Sequence, residues 1–252
     1  MANIADRLKL LSYSFEIYKS NLKMVVFFSI PFIFALLLPL FSPAPTYSAL
    51  GGYFLRSGSL PDLTVSDVIF VIITSLVSLY LFSLALVAVN LVVKSARTRT
   101  RVASEAKRNL GKYTLSVFLL FLVVKVIEFC ILTYTSYSGF SELSIFVFSF
   151  IASLGLFYSA PAIVLEERKP LTAFFNSFIH IIKKPLHFIL WLVVAFLMIS
   201  IVMQVLYTIL EFYEFSRDIM QLIIVLVNSL FILPFLIILQ AQIYLAKYTI
   251  LR

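Results

Sequence analysis

Six apolar runs decide what this chain can become. They cover roughly Leu22–Phe41, Val68–Val93, Leu115–Tyr134, Leu143–Leu165, Leu186–Leu206 and Ile219–Ala246. Each is long enough to cross a hydrocarbon core of ~30 Å, which takes about 20 helical residues. Lipid offers no partner to backbone N–H and C=O groups, so a spanning segment must bond internally as a helix or close into a barrel. The strict alternation of barrel strands is missing from these runs. The expected fold is therefore all-α: a polytopic membrane bundle with six transmembrane helices. Composition agrees, with 62% hydrophobic and 13% charged residues against about 45–50% and about 25% in soluble domains.

Charge placement orients the bundle. Seventeen of the twenty Lys and Arg residues fall on one side if the N-terminus is cytoplasmic, in the stretches up to Lys23, Lys94 to Lys112, Arg168 to Lys184, and Lys247 to Arg252. Only Arg56 and Arg217 fall opposite, and Lys125 lies within a run. Inner loops are enriched in Lys and Arg, so the chain is expected in the cell membrane with N- and C-termini cytoplasmic. The same placement accounts for the net charge of +8 and argues against nucleic acid, which needs a soluble basic face.

The stretch before Lys23 is too long for a signal-peptide start and carries Asp6 and Glu16, so the first run is expected to be retained. The turn-forming loop from Ser42 to about Asp67 contains Pro43, Pro45, Gly51-Gly52 and Pro61. It does not read as a folded unit. Residues 1–252 thus read as a single integral membrane domain. Cys130 is the one cysteine, and no Cys/His spacing suited to zinc occurs. No metal or cofactor is expected.

Amphipathic stretches precede alternate runs. Ile4, Leu8, Leu11, Phe15, Tyr18 and Leu22 recur at helical spacing, as do Leu171, Phe174, Phe175, Phe178, Ile181 and Ile182. A weaker version holds Val102, Ala106, Leu110 and Tyr113. Such helices can lie in the headgroup layer, which predicts three cytoplasmic interfacial helices. The joints also match: Ile17-Tyr18-Lys19-Ser20-Asn21-Leu22 aligns with Ile181-Ile182-Lys183-Lys184-Pro185-Leu186. Leu110 to Leu115 shares their apolar, Lys and Leu positions. The pattern predicts a threefold parallel internal repeat, with units of approximately 1–93, 94–165 and 166–252.

One stretch carries a family likeness. Pro161-Ala162-Ile163-Val164-Leu165-Glu166, followed by Ala173, Ser177-Phe178 and Lys183-Lys184, resembles a prokaryotic multi-pass membrane family. This is the membrane domain associated with glycerophosphoryl diester phosphodiesterases, together with related domains of unknown function. The likeness is strongest over Tyr158–Leu190 and implies a shared membrane architecture. In those enzymes the chemistry belongs to a separate soluble barrel, which this sequence lacks, so the resemblance implies no phosphodiesterase activity.

Lys125 and Glu128 are the candidate intramembrane polar site. Three residues apart, they share a helix face, and charge at membrane depth costs ~2.5–3.5 kcal/mol on insertion scales. They are expected to face the bundle interior, either as a transport site or as a structural clasp. Lys94, Arg97, Arg99 and Arg101 are candidate anionic-lipid contacts, at about 1 kcal/mol per basic residue near the surface. Asn90, Ser159, Gln204, Asn228, Gln240 and Gln242 are expected to hydrogen-bond between helices. Pro31, Pro161 and Pro234 should kink their spans, and His180 and His187 read as interfacial. No catalytic constellation is visible. The expected function is non-enzymatic, structural, accessory or lipid-interacting, with membrane lipids, membrane-protein partners or a second copy as partners. The alternatives are a small transporter or channel using Lys125 and Glu128, and then a membrane enzyme.

Overall fold

The computed structural model describes residues 4–41, 65–98, 100, 102–135 and 141–246. The turn-rich loop, Arg99, Arg101 and the basic C-terminal residues lie outside them. The described residues form helices α1 (Ile4–Ser20), α2 (Leu22–Leu37), α3 (Val65–Thr98), α4 (Val102–Thr135), α5 (Ser141–Phe157), α6 (Ser159–Glu166), α7 (Pro170–Lys183), α8 (Pro185–Phe212), α9 (Arg217–Val227) and α10 (Leu233–Leu245). A 3₁₀ turn, Leu38–Phe41, ends α2, and a π-helical turn, Asn228–Ile232, joins α9 to α10. No strand occurs among them.

Five helical stretches are long and apolar enough to cross a membrane: Val65–Thr98, Ser104–Thr135, Leu143–Glu166, Pro185–Phe212 and Ile219–Leu245. The bent pair α1–α2 makes a sixth if taken as one span. α1 meets α2 at 88°. The elbow is Asn21, whose side-chain amide donates to the Ile17 carbonyl and to Ser20 Oγ, both at 3.0 Å. The second elbow is Lys184, in non-helical geometry with φ −135° and ψ 60°. Pro185 follows it, and proline pushes the preceding residue away from helical angles.

The middle joint behaves differently and corrects the expectation of three short inner helices. α4 runs unbroken for 34 residues through Leu110-Gly111-Lys112-Tyr113. Gly111 sits in open space, and a lone glycine costs a helix only ~1 kcal/mol. With no proline and no side chain competing for the backbone, nothing there turns the chain. At 1.5 Å per residue α3 and α4 are each about 51 Å long, several turns longer than a hydrocarbon core.

The span Leu143–Glu166 is broken at Tyr158, and its cause lies on α7. The Ser177 hydroxyl donates to the Leu154 carbonyl at 2.7 Å and accepts from the Tyr158 N–H at 2.9 Å. It stands where the helical bond from Tyr158 to Leu154 would be, and an inserted side chain is a recognised cause of a break. One turn on, Pro161 has no N–H for the Phe157 carbonyl. Gln240 Nε2, from α10, donates to that carbonyl instead. Pro234 falls just after the π turn, whereas α2 continues through Pro31.

Three helix segments pack mutually at the centre: the C-terminal half of α3, α6 and α10. Residues 85–93, 158–164 and 234–245 are buried on every side. Lipid tails are as apolar as leucine, so helices associate in a membrane by close van der Waals approach of small residues. Ala85, Ala88, Ser159, Ala160, Ala162 and Ala241 supply them here, all buried. α2 packs on α3 and the π turn, α4 on α3 and α5, and α8 on α10. α1 lies against α10, and α7 against α5 and α6. At the opposite end the helices part, and residues such as Ile72, Phe129, Phe146 and Phe196 are exposed.

Candidate functional site

Lys125 and Glu128 sit on the splayed half of α4. Their ends meet at 2.7 Å, and Ser149 on α5 donates to the second carboxylate oxygen at 2.8 Å. Helical spacing of three makes the first contact possible, and the packing of α5 on α4 makes the second. The Glu128 side chain is 24% exposed and faces α5, while Lys125 is 65% exposed. Lys125 thus stands on the rim of something instead of inside the core.

That something is a cavity of about 780 Å³ between α2, α3 and α4. Ala35, Leu36 and Pro39 line it on one side, Leu76, Leu79 and Phe82 on α3, and Phe121, Leu122 and Val124 on α4, with Leu156 of α5 completing the lining. Ser75 and Ser78 join the lining, and Lys125 is its single charged member. Ser78 donates to the Ala35 carbonyl at 2.5 Å, tying α3 to α2 below the opening. Ser75, Leu76 and Lys125 are exposed at the edge, so the space reaches the side of the bundle. Its volume falls in the range of about 300–1,000 Å³ usual for small-molecule sites.

The other candidate cations are placed at the packed end. Lys94 Nζ donates to Glu167 at 2.8 Å and to the Tyr113 hydroxyl at 3.3 Å, and lies 5.2 Å from the centre of the Tyr113 ring. Its side chain is 12% exposed. Hydrogen bonds from Lys94 first, and then from Tyr113, hold the Glu167 carboxyl below its ordinary range. Glu167 ends α6 in the left-handed region at φ 56°, a conformation that costs a non-glycine residue about 1–2 kcal/mol. Arg97 is exposed, and Arg99 and Arg101 lie outside the described residues. The structure therefore brings Lys125 and Glu128 together and keeps Lys94 well apart from them, occupied within the protein.

Two expectations change in detail. His180 is buried, its ring 5.0 Å from Tyr158 and 5.6 Å from Tyr244, because α7 turns the face Ala173, Ser177, His180 toward α5 and α6. Of the amides expected to bridge helices, Asn90 bonds within its own helix to the Leu86 carbonyl, Gln240 crosses to Phe157, and Asn228 on the π turn reaches Met203 Sδ on α8 at 3.9 Å. Serines and the single tryptophan make the other bridges: Ser78, Ser149, Ser177, and Trp191 Nε1 to the Leu236 carbonyl at 2.9 Å. Their signal in the sequence was a lone hydroxyl in an apolar run, too common to single out. Among the described residues no group of three or more His, Cys, Asp or Glu side chains converges as a metal site.

No family model, no curated protein and no solved structure matches the chain.

Proposed function

We propose that this chain is a non-enzymatic, lipid-interacting protein of the cell membrane, with six spans and both termini in the cytoplasm. The observation that carries this reading is the cavity between α2, α3 and α4, apolar throughout except for Lys125 and two serines and reaching the side of the bundle. A ligand entering there would come from the bilayer. The basic stretch around Arg97 adds attraction to anionic headgroups on the inner face. Membrane-protein partners or a second copy would meet the long exposed flank of α8, in which only Ala195 and Leu210 are buried.

The architecture behind it is three parallel units. Two observations support the repeat. The last spans of the three units supply the three central segments, on α3, α6 and α10. In addition, α1 and α7 each lie against the last span of the preceding unit, taken cyclically. With the elbows at Asn21 and Lys184 superposed, Leu10, Ser14 and Ile17 fall opposite Ala173, Ser177 and His180, all buried. That register is one residue out of step with the match of joint residues in the sequence. In the first and third units the inner helix is separate and interfacial; in the second it is fused into α4. On the family likeness, the chain corresponds to the membrane domain of such proteins.

Purification in mild detergent with mass spectrometry of the retained lipids tests the function: stoichiometric lipid lost on plugging the cavity supports it, and a lipid-free protein contradicts it. Topology is tested on a Cys130→Ala background. Cysteines at Ser57 and Tyr137 should react with an impermeant reagent from outside, and one at Ser104 should not. A second reading, a small transporter or channel, is favoured by the cavity reaching Lys125, the single charged residue of its lining. Replacing Lys125 by Met alone strands the Glu128 carboxylate, whereas replacing both removes the mismatch. If the pair is a clasp, the double variant is at least as stable as the parent and keeps its phenotype. If the pair serves transport, the double variant folds and loses solute flux in liposomes.

A further inference from the structure

Counting donors and acceptors at the charged pair says what the cavity would hold. An ammonium carries three donors and no acceptor, and an ionised carboxylate only accepts. Glu128 has both oxygens engaged, one by Lys125 and one by Ser149. Lys125 donates one proton to Glu128, and its other two have no protein partner among the described residues. Water would take them at a protein surface, but hydrocarbon cannot. The residual demand of the site is therefore for an acceptor, placed at the rim of an apolar chamber.

Charge narrows the acceptor further. Lys125 and Glu128 sum to zero, so an anion would leave the site with net charge at membrane depth and would face the Glu128 carboxylate. A neutral oxygen acceptor meets the demand without either penalty. The walls, among them Leu36, Leu79, Phe82 and Phe121, ask for hydrocarbon in the rest of the molecule. We infer that the cavity takes a long-chain acyl compound with an uncharged carbonyl, such as an ester, whose oxygen accepts from Lys125 while the chain lies between α2 and α4. This rests on the reading of the cavity as a lipid site and adds the chemical class of its occupant.

The probe is the methyl ester of a long-chain fatty acid bearing a mid-chain diazirine. The full chain is reconstituted in vesicles of ether-linked phosphatidylcholine, which contribute no carbonyl groups. After illumination, labelled residues are mapped by peptide mass spectrometry. Labelling is expected over residues 75–79 and 121–125, displaced by unlabelled ester but not by the alkyl methyl ether of equal length. Lys125→Met/Glu128→Met, which leaves neither charge stranded, should weaken labelling about tenfold, the weight of one charge-assisted hydrogen bond. Lys125→Arg should retain it, and Leu79→Trp, which sets a bulky ring across the path of the chain, should abolish it. Labelling that ignores the double variant and is displaced equally by the ether overturns the carbonyl assignment and leaves the lipid cavity standing. Labelling that never falls in the cavity, or that survives Leu79→Trp, overturns both.

Discussion

The two ends of this bundle are written in nearly the same alphabet and behave in opposite ways. Residues 85–93 of α3 and residues 68–76 of the same helix are both apolar, yet every residue of the first is buried and most of the second are exposed. What differs is bulk. Ala85 and Ala88 let α6 and α10 come close, while Ile69, Phe70, Ile72 and Ile73 hold neighbours away and stay exposed. In water, burial follows hydrophobicity; in a bilayer it follows shape and hydrogen bonding.

The comparison breaks most visibly if truncations at the two ends cost the same. Ile238 is fully buried in α10, and Ile201 on α8 is 60% exposed. Ile238→Ala should cost ~2–5 kcal/mol, and Ile201→Ala no more than ~0.5 kcal/mol, read by thermal unfolding in detergent. Equal losses would mean that the splayed end is packed after all. The next effect is overpacking. A Cβ at Gly155 would run into the far end of the Phe174 ring, which meets α5 at that point. Gly155→Ala should cost ~1–3 kcal/mol, and Phe174→Leu should recover much of it. Gly155→Ala without penalty would show that α7 is loosely held.

Smaller effects sharpen the picture. Ser78→Ala removes the hydrogen bond from α3 to the Ala35 carbonyl of α2 beside the cavity, at ~0.6 kcal/mol; it should raise lateral accessibility of Leu79 more than it lowers stability. The smallest is electrostatic. The Glu167 carboxyl is depressed in the folded chain, so its contribution is present above the ordinary glutamate range near pH ~4.3. It is lost as pH falls through the lower folded value. Melting temperature followed from pH 7 to 3 should drop less in Lys94→Met than in the parent over that acid window. Parallel curves would remove Lys94 and Glu167 as a working pair.

Much of this was legible beforehand, for physical reasons that differ by residue. Long apolar runs announce helices because lipid allows little else, and Lys125 and Glu128 announce each other because a helix places residues three apart side by side. The elbow at Lys184 was legible through Pro185. The fused inner helix was not, because a matching pattern of Leu, Gly and Lys at residues 110–112 carries no instruction to bend. The cavity was invisible because it belongs to several helices at once, and Lys125 alone among its lining residues stands out in a sequence of leucines. Nor could His180 be placed, since its burial depends on which face α7 turns inward.

The Ser177 hydroxyl bridging Tyr158 and Leu154 has a consequence for how the chain is made. A span normally leaves the ribosome carrying every backbone partner it needs. This one carries all but one: before α7 exists the Tyr158 N–H can close directly on the Leu154 carbonyl, while the proline-freed Phe157 carbonyl waits for Gln240, near the far end of the described chain. The fourth run is therefore more continuous when it is made, and Ser177 opens its ladder only when α7 docks. The break at Tyr158 is thus a late feature of folding, acquired after the run is already in place.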